Sequence, residues 1–130
     1  DLSTGINPVA WPVPALPVAA WTALPDSAAT LAAAAAARAF WQVPAGAAVL
    51  AVPGASSAIA RLPGLRPAAV VAIPGPTYNE HARAFAAAGW QVVGNGPATA
   101  RVVVHPNNPD GRRWTVDAAT DGLLPGGLLV

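Results

Sequence analysis

Three short stretches of the chain gather the side chains able to act on a ligand. In Val52-Pro53-Gly54-Ala55-Ser56-Ser57-Ala58-Ile59, a Gly/Ser turn separates an apolar run from helix-forming residues. Open backbone N–H groups at a helix start, the positive end of its dipole and two hydroxyls make an anion site suited to a phosphate ester. The alternative role for Ser56 is simply to cap the helix. In Ile73-Pro74-Gly75-Pro76-Thr77-Tyr78-Asn79-Glu80-His81, a tight turn sets Tyr78 at the head of a helix. A ring there can lie on a flat heteroaromatic ligand, or pack on its neighbours with its hydroxyl in water. In Val104-His105-Pro106-Asn107-Asn108-Pro109-Asp110-Gly111, two asparagines are locked between prolines. Such a stiff, polar turn can donate amide hydrogens to a ligand oxygen, and it is the most specific string in the chain.

Each stretch follows or contains the end of a short apolar run, at residues 48–52, 69–73 and 102–104, with two further runs at 91–93 and 128–130. Helical patterns at residues 57–62 and 78–88 lie between them. Short β-branched runs alternating with helices predict an α/β fold with a mostly parallel sheet buried on both faces. Pro/Gly clusters at residues 63–64, 74–76, 94–97 and 125–127 mark the loops. In open α/β sheets, ligands bind at the carboxyl ends of the strands. The three loops therefore converge on one place and suit a planar, phosphorylated ligand. Upstream, prolines at 8, 12, 14, 17 and 25 predict an extended arm packed through Trp11, Leu16 and Trp21. Asp26 or Ser27 then caps a helix over residues 28–41. The expected organisation is an N-terminal arm at 1–25 and a partial large domain at 26–130.

Composition narrows the function classes. The 130 residues suit one domain or part of a larger one, and 54% hydrophobic against 10% charged residues, with a mean hydropathy of +0.44, predicts a surface that invites partners. Pro or Gly breaks every apolar stretch before it reaches bilayer length, so no membrane segment is expected. The opening Asp1-Leu2-Ser3-Thr4-Gly5 lacks a secretory signal pattern and there is no cysteine, so a cytoplasmic location is expected. The cations are arginines, scattered with one adjacent pair, Arg112-Arg113, which argues against nucleic-acid binding. His81 and His105 lie apart, so no metal site is expected. Glu80 and Arg83 are read as a solvated helix face, and Asp117 and Asp121 as caps. Arg112 and Arg113 are read as exposed.

Gly54-Ala55-Ser56-Ser57-Ala58 also resembles the G-x-S-x-G nucleophile elbow of α/β-hydrolases, with Ser56 as nucleophile and His81 or His105 as base. Ala58 replaces the second glycine, and no acid or oxyanion-hole motif follows in a suitable order.

The three loops together, in this order, resemble those of fold-type I pyridoxal phosphate (PLP) enzymes. His-Pro-Asn-Asn-Pro-Asp-Gly is similar to the Asn-Pro-Asn-Asn-Pro-Thr-Gly signature of histidinol-phosphate aminotransferases and their relatives, with Asp110 where threonine is common. Pro74-Gly75-Pro76-Thr77-Tyr78 resembles the segment whose tyrosine stacks on the pyridine ring, and Gly54-Ala55-Ser56 the turn that holds the cofactor phosphate. Within that family, Asp1-Leu2-Ser3-Thr4-Gly5-Ile6-Asn7-Pro8 and the run ending in Arg112-Arg113 are most similar to the threonine-phosphate decarboxylases of cobalamin synthesis.

The resemblance implies a three-layer, PLP-dependent transferase-like large domain, incomplete in this chain, with PLP as cofactor. It implies that Gly54, Ala55 and Ser56 hold the phosphate, that Tyr78 stacks on the ring and that Asn108 donates to the phenolic oxygen. Gly5, Ile6 and Asn7 would lie near a phosphorylated amino-acid substrate, L-threonine O-3-phosphate, in a homodimer. A histidinol-phosphate-type aminotransferase and a catalytically silent fragment are the alternatives. Such chemistry needs a lysine for the Schiff base, an aspartate on the pyridine nitrogen and usually an arginine for the substrate carboxylate. This chain has no lysine. The aspartate is expected just after residue 130, with the lysine and arginine further on, and residues 94–101 are shorter than the family's usual connection.

Overall fold

A computed structural model describes residues 7–130, in two compact units, Asp1–Ala51 and Val52–Val130. Gly5 and Ile6 therefore lie outside the described residues. In the first unit, α1 (Ala19–Thr22) interrupts the arm expected to be extended throughout. Residues 18–24 hold no proline, and the Pro17 carbonyl accepts from the Ala20 amide at 2.9 Å to start the turn. Trp11, Leu16 and Trp21, expected to pack, are exposed. The long helix α2 (Ser27–Phe40) starts as the sequence predicts, with the Asp26 carboxylate accepting from the Ala29 amide at 2.7 Å. Arg38 in its last turn donates to the carbonyls of Val43, Pro44 and Ala47, which fastens the following loop to the helix end. The strand expected at residues 48–52 does not form. A strand exists only where a neighbour takes its N–H and C=O groups, and this stretch crosses the boundary of the two units.

The second unit builds α3 (Ala55–Ile59), a 3-10 turn (Leu62–Leu65), β1 (Val70–Ala72), α4 (Glu80–Ala87), β2 (Gln91–Val93), β3 (Ala98–Arg101), α5 (Val116–Thr120) and β4 (Leu123–Leu129). The four strands form one all-parallel sheet in the order β2-β1-β3-β4. The α/β class with a parallel sheet is thus what the alternating apolar runs implied. Side chains two apart in a strand share a face, so Val71 and Ile73 line up with Ala100 and Val102 across the register that pairs Val71 with Ala100. Phe85 of α4 closes over them with Trp90, the two rings edge to face at 5.2 Å. The Trp90 indole N–H donates to the Pro63 carbonyl at 3.2 Å, which holds the 3-10 turn on the same core.

Strand β3 begins before the run expected at 102–104. Ala98-Thr99-Ala100-Arg101 carries little β propensity of its own, and its place is set by partners: the Ala98 amide donates to Gly122 O at 2.9 Å. Pairing runs on past the strand, with Val102 N–H on Ala72 O and Val103 N–H on Val130 O. Gly122 has φ +72°, and a Cβ there would stand 2.6 Å from Gly96 O, so both backbone angle and space require glycine. β4 opposes β3 at Leu123 and again at Leu128, with residues 124–127 bulging between. Pro63 ends the expected helix at 57–62 early, which leaves α3 and the 3-10 turn in its place. Arg112 and Arg113 are exposed as expected, whereas Arg101 is 2% exposed. Its Nη2 donates to Ala118 O at 3.3 Å, while Nε and Nη1 have no partner among the described residues. No described helix is long and apolar enough to cross a membrane.

Candidate functional site

The connection after β1 runs through α4 to β2 on one side, and the connection after β3 runs through α5 to β4 on the other. The chain therefore leaves β1 and β3 in opposite directions, and a crevice at such a divergence is where parallel sheets take ligands. The loop after β1 carries Tyr78, and the loop after β3 carries Asn108.

Asn107 joins these two loops. The residue is 3% exposed and both its amide hydrogens are used: Oδ1 accepts from Thr77 Oγ1 at 2.7 Å, and Nδ2 donates to Pro76 O at 3.0 Å and to Asp110 Oδ1 at 2.7 Å. Its main chain closes the turn, with Asn107 N–H on Arg112 O and Gly111 N–H on Asn107 O, both at 2.7 Å. Asp110 also accepts from the Arg112 amide at 2.9 Å. That backbone donor first, and then the Asn107 amide, holds the Asp110 carboxyl below its ordinary range. The Arg112 guanidinium lies 4.3 Å over the Trp114 ring, and Trp114 Nε1 donates to Val104 O at 3.0 Å, so the far side of the turn is braced as well. Asn108 is exposed beside this knot.

Tyr78 is 38% exposed, and its ring stands nearly perpendicular to that of His81, 6.3 Å between centroids. His81 Nδ1 has no partner among the described residues, and burial lowers its pKa, favouring the neutral imidazole. Gly54, with φ +84°, turns the chain into α3, whose N-terminus no side chain caps. The capping role open to Ser56 is not taken up: Ser57, not Ser56, folds its hydroxyl back, onto Pro53 O at 2.9 Å. Ala55 and Ser56 thus stand at an uncapped helix start, and Ser56 is exposed. α3 packs against α4, the helix that Tyr78 precedes. Two of the three predicted loops are hydrogen-bonded together and the third is attached through helix packing. Asn7 belongs to the first unit, where its Oδ1 accepts from the Val9 amide at 3.0 Å.

The donor set suits a phosphorylated ring. Neutral amides and a hydroxyl on Gly54-Ala55-Ser56 suit a phosphate dianion, and the exposed Tyr78 ring and Asn108 amide suit a flat heteroaromatic with an oxygen substituent. The hydrolase alternative gains nothing: no hydrogen bond joins Ser56 to a histidine among the described residues, and His105 Nδ1 is taken by the Trp114 amide at 3.0 Å. No group of three metal-ligating side chains occurs among the described residues. Residue-type reasoning gave Asn107 to the ligand together with Asn108 and passed over Thr77. The available signal was the asparagine doublet itself, of which Asn107 is buried and Asn108 exposed.

No protein-family model matches the chain. Two curated proteins do: a threonine-phosphate decarboxylase of a Sinorhizobium species, 46% identical over 120 residues, and that of Pseudomonas aeruginosa, 40% identical over 126. Each alignment takes in 86% of this chain, which spans 36% of the first protein and 35% of the second. Over the third of their length that it spans, the chain is similar to these two threonine-phosphate decarboxylases, the group its turn and opening residues resemble.

Proposed function

We propose that this chain carries the cofactor cradle of a PLP-dependent enzyme, and that the whole protein converts L-threonine O-3-phosphate to (R)-1-amino-2-propanol phosphate in cobalamin biosynthesis. The observation that carries this reading is the junction of the two loops, which sets Tyr78 and Asn108 each one residue away from the Thr77–Asn107 hydrogen bond. The similarity to proteins named threonine-phosphate decarboxylase supports the substrate.

PLP, when bound, supplies an electron sink for the bond broken at the substrate's α-carbon. The chain's own residues hold and orient. The Ala55 and Ser56 amides with the Ser56 hydroxyl take the phosphate, helped by the positive end of α3. Tyr78 covers one ring face and excludes water from it, and the Asn108 amide donates to the phenolic oxygen. The resemblance adds Gly5, Ile6 and Asn7, which would lie near the phosphorylated amino acid. In this reading residues 1–25 form an arm and 26–130 the partial large domain of a cytoplasmic homodimer. The absence of lysine from these residues favours a second reading for the chain by itself, a catalytically silent module.

The test is a PLP titration of the chain, followed by ligand absorbance and tryptophan quenching, with pyridoxal as the control lacking phosphate. Tyr78→Ala weakens PLP binding by about tenfold, the order of one lost aromatic stack. Equal binding of PLP and pyridoxal, or an unaffected Tyr78→Ala variant, refutes the cradle. Threonine phosphate turnover by the whole protein then separates decarboxylation from transamination by whether carbon dioxide is released.

A further inference from the structure

The geometry points to Asn107 and Thr77 as a positioning pair that presents Tyr78 and Asn108 to the cofactor without touching it; this role rests on the PLP reading above. The Thr77 hydroxyl and the Asn107 carbonyl oxygen meet at 2.7 Å across two loops 30 residues apart in sequence. Each partner precedes a proposed ligand contact by one residue. The amide has no donor left for a ligand: both its hydrogens go to Pro76 O and Asp110 Oδ1, while its oxygen takes Thr77. With the residue 3% exposed, any loss of this bond leaves a buried acceptor unpaired. The two ligand loops are thereby held in one register before a ligand arrives, and the ordering cost of binding is correspondingly lower. Asn108, immediately next, is free to face outward because Asn107 faces inward. The doublet is therefore a division of labour, one amide for the loop and one for the ligand.

The discriminating variant is Thr77→Val, which keeps the side chain's shape and removes the hydroxyl; Thr77→Ser restores the hydroxyl. PLP affinity of the 130-residue chain is measured by titration, and hydrogen exchange reports on loops 74–79 and 105–111 against the rest of the second unit. The expected result is a five- to tenfold weakening, roughly one hydrogen bond, in Thr77→Val. Thr77→Ser is expected within about twofold of the unsubstituted chain, on the same hydrogen-bond accounting. Exchange rises in the two loops and not in α4 or β1. Wild-type affinity in Thr77→Val overturns the role while leaving the PLP reading intact. Exchange rising throughout the unit, or no recovery in Thr77→Ser, reduces the pair to general structural support and also overturns it. If the unsubstituted chain fails to bind PLP, the cofactor reading falls and takes this role with it.

Discussion

Truncating Phe85 to alanine tests whether one aromatic closes the core beneath the site. The side chain is fully buried at 0% exposure, packed with Val71, Ile73, Ala100 and Val102 and set edge to face on Trp90 at 5.2 Å. Removing a buried phenyl loses its transfer free energy and leaves a cavity, together about 3–5 kcal/mol. Roughly 0.5–1.5 kcal/mol of that belongs to the aromatic pair. A unit spanning Val52–Val130, at about 0.05–0.15 kcal/mol per residue, has a total stability of roughly 4–12 kcal/mol. Phe85→Ala therefore removes about a quarter or more of it, and the urea midpoint falls by about 1.5–5 M for a slope near 1–2 kcal/mol/M. Urea unfolding followed by circular dichroism reads this directly, and a cycle with Trp90→Leu isolates the ring pair. A loss below about 1 kcal/mol would mean that Phe85 does not close this core, because even a well-relaxed site pays more than that for a missing phenyl.

Four further outcomes follow from single features. His81 is held neutral by burial, so its folded pKa lies below the ordinary 6.5; the unfolded chain binds its proton first, and this contribution is present above 6.5 and lost as pH falls through the folded value. Urea midpoints at pH 8 and pH 5 differ in the parent and converge in His81→Gln; an unchanged difference assigns the acid sensitivity elsewhere. Gly122→Ala costs at least about 2 kcal/mol, since a left-handed backbone angle and a Cβ contact with Gly96 O act together; a neutral result in thermal unfolding would contradict the β3–β4 geometry. Arg101→Met stabilises the second unit by about 1–3 kcal/mol, because it removes a buried cation with two unpartnered nitrogens; a lower melting temperature would show that the guanidinium has a partner. Asp26→Ala loses the cap on α2 and about 1 kcal/mol of helix stability, visible as reduced ellipticity at 222 nm, and unaltered helicity would exclude the cap.

The legible parts of this chain are those where local chemistry and tertiary structure agree. Asp26 ahead of an alanine run specified α2 within a residue or two, because cap and propensity act locally. The apolar run around Val70 marked β1 because β-branched residues buried on both faces leave little else to be. β3 was harder: Ala98-Thr99-Ala100-Arg101 says nothing by itself, and its hydrogen-bond partners on β1 and β4 lie far away in sequence. The run at 48–52 looked as good as any strand and is not one, since a strand is a property of a pair. In the site, the exposed Tyr78 and Asn108 could be picked out by residue type. The doublet's Asn107 was picked out with them, but not its part in joining the loops, which depends on Thr77 and Pro76, some thirty residues earlier.

The bulge in β4 has a bearing on whether copies of so apolar a chain can join through their sheets edge to edge. Among the described residues β4 is an outer strand, and an outer strand offers unused donors and acceptors to any extended peptide that meets it. Here Pro125 lacks a donor, and residues 124–127 leave the line of pairing before Leu128 rejoins it. A second molecule approaching this rim meets only short, discontinuous lengths of straight backbone, too little to template a growing intermolecular sheet. The irregularity thus disfavours sheet extension along this rim.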